Sequence, residues 1–321
     1  MQKEVVVPKP IIPDADFVQM FEELGPHKTS EKTGVGLRSI YKRRELLENK
    51  LGRQITGPDH AKRTRHNVSH PQRIDATITD GIILVGSDAH YWPGIKSTAH
   101  RGFIKFCKDL HPEIVVMNGD AMDGASISRF PPIGWETAPT IQEEIGVCQR
   151  RLREITSATP NAAHIWTLGN HDGRFETRLA TVAPEFAGVH GVHLKDHFPE
   201  WSPCWSVWVG DKVVIKHRFK GGVHATHNNT VTAGRTMVTG HLHSHKVTPF
   251  SDYNGTRWGV DTGTLADPYG KQFRDYSEDN PKNHRSGFVV LTFADGELLD
   301  PELVRVWDEN RVCFRGALID V

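Results

Sequence analysis

The chain has 321 residues, room for about two domains of ordinary size and a buried core. Hydrophobic residues make up 37% and charged residues 24%, which excludes wholesale disorder and a fibrous chain. Lys plus Arg equals Asp plus Glu at 39 each, and the four cysteines, Cys107, Cys148, Cys204 and Cys313, form no CxxC pair, so neither a zinc ribbon nor a disulfide framework is suggested.

Met1 to Pro13 lacks the basic-then-apolar layout of a signal peptide, and no apolar run approaches the roughly 18 residues of a membrane span. The expectation is a cytoplasmic protein with no membrane contact. From Lys28 to Arg73 twelve Lys or Arg face four acids, a local surplus of eight positive charges that suits a polyanionic partner. Overlapping this stretch, Asp14 to Gly52 reads as three helical pieces. Phe17, Met20, Phe21 and Leu24 recur at helical spacing, Gly25-Pro26 closes the first piece, and Gly34-Val35-Gly36 separates the second from a third carrying Leu37, Ile40 and Tyr41. The pattern resembles a homeodomain-like helix-turn-helix, which implies DNA as partner. The third piece would then present Arg38, Ser39, Lys42 and Arg43 to the major groove, with Arg44 in reach of phosphate. Such proteins often bind as dimers, so a homodimer is compatible with the pattern.

Residues 53–77 are polar and read as a basic linker between a domain at 1–52 and a second at 78–321. Beyond Asp80 the texture becomes α/β: apolar runs such as 82–85 and 114–117 alternate with helical stretches near 95–110 and 138–157, and later runs with fewer helices predict mixed sheets. Five apolar runs end in clusters of His, Asp or Asn: Asp88-Ala89-His90, Gly119-Asp120-Ala121-Met122-Asp123, Gly169-Asn170-His171-Asp172, His217, and Gly240-His241-Leu242-His243. The crevice beyond the carboxyl ends of strands is where α/β sheets bind ligands, so these clusters are expected to converge. Alternating spacing on an extended strand end would point Asp88 and His90, or His241 and His243, to one side. Seven oxygen and imidazole donors are too many for one zinc ion and suit two divalent cations sharing a carboxylate.

D-x-H, G-D-x-x-D, G-N-H-D, a lone His and G-H-x-H, in this order, resemble the calcineurin-like metallophosphoesterase superfamily, and Gly259 to Ala266 with Ser286-Gly287-Phe288 resemble its phage and prophage members. The resemblance implies an α/β four-layer sandwich of two mixed sheets flanked by helices, preceded here by the small all-α helix-turn-helix domain. It implies that Asp88, His90 and His243 bind one metal, that Asn170, His217 and His241 bind another, and that Asp120 bridges them. His171 would serve as general acid with Asp172 orienting it, Asp123 would support the ligands from behind, and Arg174 would bind substrate phosphate. His217 ends its apolar run directly, but His224 and His227 remain alternatives. The cofactors implied are two divalent ions, Mn²⁺ first and Fe, Ni or Zn as competitors, with no other cofactor. The implied activity is that of a binuclear-metal-dependent phosphodiesterase, a nuclease or DNA-end-processing enzyme, in which a metal-bound hydroxide attacks phosphorus in line. A phosphomonoesterase or cyclic-nucleotide phosphodiesterase tethered to DNA is the alternative. A non-enzymatic regulator is a third reading, against which the complete ligand set argues.

Overall fold

Three glycines with positive φ punctuate the N-terminal helices. In the computed structural model, which describes residues 12–53, 55–58, 71–130, 135, 137–273, 280 and 282–321, helix α1 (Asp14–Thr33) is broken at Gly25 (φ 76°) before Pro26 and stops at Gly34 (φ 65°). Pro26 cannot donate to the preceding turn, and Gly34 reverses the chain without a Cβ clash. Helix α2 (Leu37–Leu51) follows and ends on left-handed Gly52, whose N–H returns to the Glu48 carbonyl. Phe17, Val18, Phe21, Ile40, Leu47 and Ile55 form the buried core of this small unit. The three helical pieces thus fall where the glycine breaks place them.

The chain divides into two units, Met1–Asn67 with Ala180–Ala187, and Val68–Leu179 with Gly188–Val321. Of the expected linker, residues 54 and 59–70 lie outside the described residues. Its last part is not a linker: Arg73–Ala76 is strand β1, paired parallel with β6 (Ser206–Val209). Its exposed and half-buried residues read as polar loop in the sequence because an edge strand buries only one face.

The second unit holds two mixed sheets. In the nine-stranded sheet, β2 (Gly81–Gly86), β3 (Ile114–Met117), β4 (Ala163–Thr167) and β5 (Ser202–Cys204) are parallel neighbours. Beside β2 runs antiparallel β11 (Gly287–Ala294), carrying β12 (Glu297–Leu298) and then β13 (Glu302–Val306), β14 (Arg311–Phe314) and β15 (Ala317–Asp320). The six-stranded sheet has the order β1-β6-β7-β8-β10-β9, with β7 (Val213–Ile215), β8 (Thr236–Thr239), β9 (Lys246–Asp252) and β10 (Gly255–Asp261). Val85, Val116 and Ile165 of the first sheet share one buried core with Val207, Ile215, Val238 and Val260 of the second. The opposite face of the first sheet packs Val115, Met117 and Trp166 against α3 (Thr98–Leu110) and α4 (Ile141–Ala158) through Phe103, Phe106, Val147 and Leu152. Helix α7 (Ala225–Ala233) packs against β8, β9 and β10. The result is a four-layer α/β sandwich. Helices α5 (Gly173–Val182) and α6 (Leu194–His197) lie between β4 and β5 in the chain. Among the described residues no helix is long and apolar enough to cross a membrane.

Candidate metal centre

All five clusters follow the carboxyl ends of strands: β2, β3 and β4 in one sheet, β7 and β8 in the other. Because β2, β3 and β4 run parallel, their exits share one sheet edge, as do those of the parallel pair β7 and β8. The expected extended backbone is not what aims the side chains. Asp88 (φ 52°), His90 (39°), Asp120 (51°), His241 (71°) and His243 (55°) all lie in the left-handed region. For L-residues this costs roughly 1–2 kcal/mol each and persists only where the surroundings fix it. Backbone bonds supply that fixing: Asp88 N–H donates to the Gly119 carbonyl at 2.8 Å and His90 N–H to the Asp120 carbonyl at 3.0 Å.

Two trios result. The ligand atoms of Asp88, His90 and His243 lie within 4.8 Å of one another, and so do those of Asp120, His217 and His241. All are buried except His241. His217 Nδ1 donates to the Asn118 carbonyl at 2.8 Å, which turns Nε2 toward Asp120 Oδ2 at 3.0 Å. His90 Nδ1 donates to Asp123 Oδ1 at 2.8 Å, freeing Nε2 in the same way. These are the hydrogen bonds that fix a metal-binding tautomer. Among the buried atoms without a hydrogen-bond partner are then His90 Nε2 and Asn170 Oδ1. Each belongs to the expected ligand set, and leaving them unmet would cost about 1–3 kcal/mol apiece. The donor set therefore fits a pair of divalent cations. His224 is exposed, and His227 is exposed and packs edge-on to Phe250, so neither joins the trios.

The charges are tuned accordingly. Burial raises the carboxyls of Asp88 and Asp120, but the facing imidazoles more than offset it: His243 and His217 hold Asp88 down to about 2, and His217 holds Asp120 well below the carboxylate range. Burial works against the His217 cation, yet Asp120 and Asp88 push its pKa up to about 10.

His171 Nδ1 donates to the Asp123 carbonyl at 2.8 Å and lies 3.2 Å from the Asp123 carboxylate. Its Nε2 lies 3.2 Å from Arg174 Nη2, and Arg174 Nη1 is held on the Asp123 carbonyl at 2.9 Å. Burial lowers the His171 pKa, but Asp123 and Asp120 outweigh it and the net shift is upward. Asp123 thus supports both His90 and His171. Its loop is in turn gripped by Glu144 of α4, whose carboxylate accepts the Gly124 and Ala125 N–H groups.

Asp172 does not orient His171. It points into the interior and accepts hydrogen bonds from the N–H groups of Asp120, Gly169 and Met122 and from Trp166 Nε1, at 2.8 to 3.2 Å. Neighbouring residues in a turn project to different sides, and burial directs this one to backbone donors rather than to the imidazole beside it. His284, which the sequence pattern does not single out, brings Nδ1 to 3.4 Å from Nδ1 of His243. Its signal is weak, because no glycine-bounded apolar run precedes it.

In the N-terminal unit, Arg38, Ser39 and Lys42 are exposed on α2. Arg43 is instead committed to its own unit: it pairs with Asp14 at 3.0 Å and stacks over Phe17 at 4.7 Å. Arg44 likewise lies over Phe21 and Tyr41.

No family model matches the chain, and no curated protein matches its sequence. Among solved structures it is similar to Vps29 from Entamoeba histolytica complexed with Zn²⁺, at 13% identity and TM-score 0.38, over 74% of this chain and 98% of that one. It is also similar to an archaeal phosphodiesterase, at 17% identity and TM-score 0.37, over 70% and 99%. A third is YfcE, a phosphoesterase from E. coli, at 15% identity and TM-score 0.32, over 68% and 97%.

Proposed function

We propose that the protein is a binuclear-metal-dependent phosphodiesterase of the calcineurin-like, phage-type kind, acting on DNA as a nuclease or end-processing enzyme. One observation carries the reading: two trios of candidate ligand atoms form at the exits of separate strands, and the buried atoms His90 Nε2 and Asn170 Oδ1 have no protein partner. Asp88, His90 and His243 would hold one divalent ion, Asn170, His217 and His241 the other, with Asp120 between them. Mn²⁺ suits the mixed oxygen and nitrogen donors, and such a pair supplies Lewis-acid charge on phosphoryl oxygens and a more acidic water.

The remaining work falls to protein groups. Arg174, whose Nη2 lies 3.2 Å from His171 Nε2, would bind a non-bridging phosphate oxygen and so free His171 Nε2 from its guanidinium contact. His171, with Nδ1 fixed on the Asp123 carbonyl, then holds a proton at Nε2 for the leaving oxygen. Arg38, Ser39 and Lys42 of α2 would meet DNA. A gel assay on single-stranded, linear duplex and supercoiled DNA with added Mn²⁺ tests the whole reading: cleavage should require both metal and Asp120, and Asp120→Ala should abolish it. His171→Ala should keep its metal content, read by elemental analysis, while turnover falls about a hundred- to ten-thousandfold. Unchanged turnover in that variant refutes the acid role.

A further inference from the structure

We propose that a basic pocket beside the metal centre receives the nucleotide that flanks the scissile phosphate of a nucleic-acid strand, an assignment that rests on the phosphodiesterase reading above. Strand β7 leaves its sheet through Lys216 and His217 into Arg218-Phe219-Lys220, and its parallel neighbour β8 leaves through Gly240 and His241. These two exits line a pocket of about 460 Å³. That lies within the roughly 300–1,000 Å³ usual for small-ligand sites. Lys216, Arg218, Phe219 and Lys220 form one wall, and Thr239, Gly240 and His241 another. His241 thus faces both the pocket and the second trio of metal ligands.

Three properties of the lining select the ligand. No carboxylate contributes to it, and among the described residues Lys216, Arg218 and Lys220 form no ion pair, so three cations stand uncompensated in one concavity. The scissile phosphate is accounted for by the metal ligands, His171 and Arg174, so this charge is available for a second anion. Phe219 is 45% exposed in the wall, with Lys216 Nζ 5.4 Å from its ring. A cationic groove with an aromatic face is what a phosphate followed by a base requires, since the phosphate takes the cations and the base stacks on the ring. A simple phosphomonoester has no second phosphate to fill the pocket.

The probe is thymidine 3′,5′-bisphosphate, titrated by calorimetry into the full-length protein with metals chelated, so that binding is read without turnover. Arg218→Ala combined with Lys220→Ala should weaken binding at least tenfold and flatten its salt dependence. Phe219→Ala should weaken it severalfold with the salt dependence intact. Lys220→Arg, which keeps the charge, should retain affinity and so separates loss of charge from loss of folding. Wild-type affinity in the double variant and in Phe219→Ala overturns the pocket assignment. If the Mn²⁺-loaded wild type hydrolyses no phosphodiester, the catalytic reading fails, and with it the identification of the ligand as a flanking nucleotide, whatever the bisphosphate titration gives. If hydrolysis proceeds and the bisphosphate is bound equally by all variants, only the pocket assignment fails.

Discussion

Asp172 and His171 are adjacent in the chain and serve different masters. The Asp172 carboxylate gathers four N–H donors, three from the turns that present Asp120 and Asn170 and one from Trp166 of β4, and burial pushes its pKa up to about 6 despite those bonds. Asp172→Ala should therefore act first on stability. Each buried donor left unmet costs about 1–3 kcal/mol, and in a domain of this size each kcal/mol lowers Tm by about 2–4 °C. A fall of at least roughly 5 °C by calorimetry is expected on that scale, together with loss of bound metal. An unchanged Tm with lost turnover would return Asp172 to the role of orienting His171. His217 gives a pH prediction. In the metal-free protein its pKa is raised from the ordinary 6.5 to about 10, with burial opposing and the Asp120 and Asp88 charges prevailing. A raised folded-state value contributes stability that is fully present below 6.5 and is lost as pH rises through about 10. A metal ion must displace that proton, so metal affinity should rise with pH across this window, with about one proton released near neutrality as the site that includes His217 is filled. Calorimetric titration of Mn²⁺ in two buffers of different ionisation enthalpy reads the number directly. No buffer dependence would exclude His217 as a ligand.

The strand-end turns set where these side chains can stand. Gly119 has φ 84°, and a Cβ built there would sit 2.3 Å from His217 Nδ1; a Cβ at Gly169 would sit 2.0 Å from Asp120 Oδ1. Gly119→Ala is thus expected to push His217 off the Asn118 carbonyl and to lower metal affinity at least tenfold, measured by competition with a fluorescent chelator. Retained affinity would show that the turn has room the geometry denies. This dependence on turns explains what the sequence discloses. Apolar runs that stop at Gly and Asp or His mark strand exits, because a strand core and a left-handed turn demand opposite residue types, so the residues that come together as the candidate trios are legible. The direction of a side chain within a turn is not legible. Asp172 looks like a partner for its neighbour until the backbone points it inward. His284 and Glu144 come to the site only through sheet pairing and helix packing. Strand β1 is hidden for the same reason: its partner β6 lies more than a hundred residues away in the chain.

At the scale of the whole molecule, the uneven charge of the sequence falls on a chain of two units. The helical unit keeps its core small and commits Arg43 and Lys50 to Asp14, and Arg53 to Glu22. Arg38 and Lys42, four residues apart on α2 and so on one face, are exposed and form no ion pair among the described residues. These two are the cations with most to gain from a phosphate backbone. On the proposed function, joining even a weak DNA-binding unit to the unit that holds the candidate metal centre would raise the local concentration of phosphodiester there without any new interaction. The consequence is testable through salt. For duplex DNA, the slope of log K against log salt diminishes by about 0.9 for every phosphate that a protein cation ceases to neutralise. Arg38→Ala with Lys42→Ala should then lower the slope by nearly two, whereas Lys50→Ala, which removes a charge already paired with Asp14, should change it little. Fluorescence anisotropy with a labelled duplex, with metals chelated to prevent cleavage, measures all three proteins over one salt series. Equal slopes for Lys50→Ala and the double variant would mean that α2 contributes only diffuse charge. An unchanged slope in both would remove the helical unit from DNA binding and leave the substrate to be held by the catalytic unit alone.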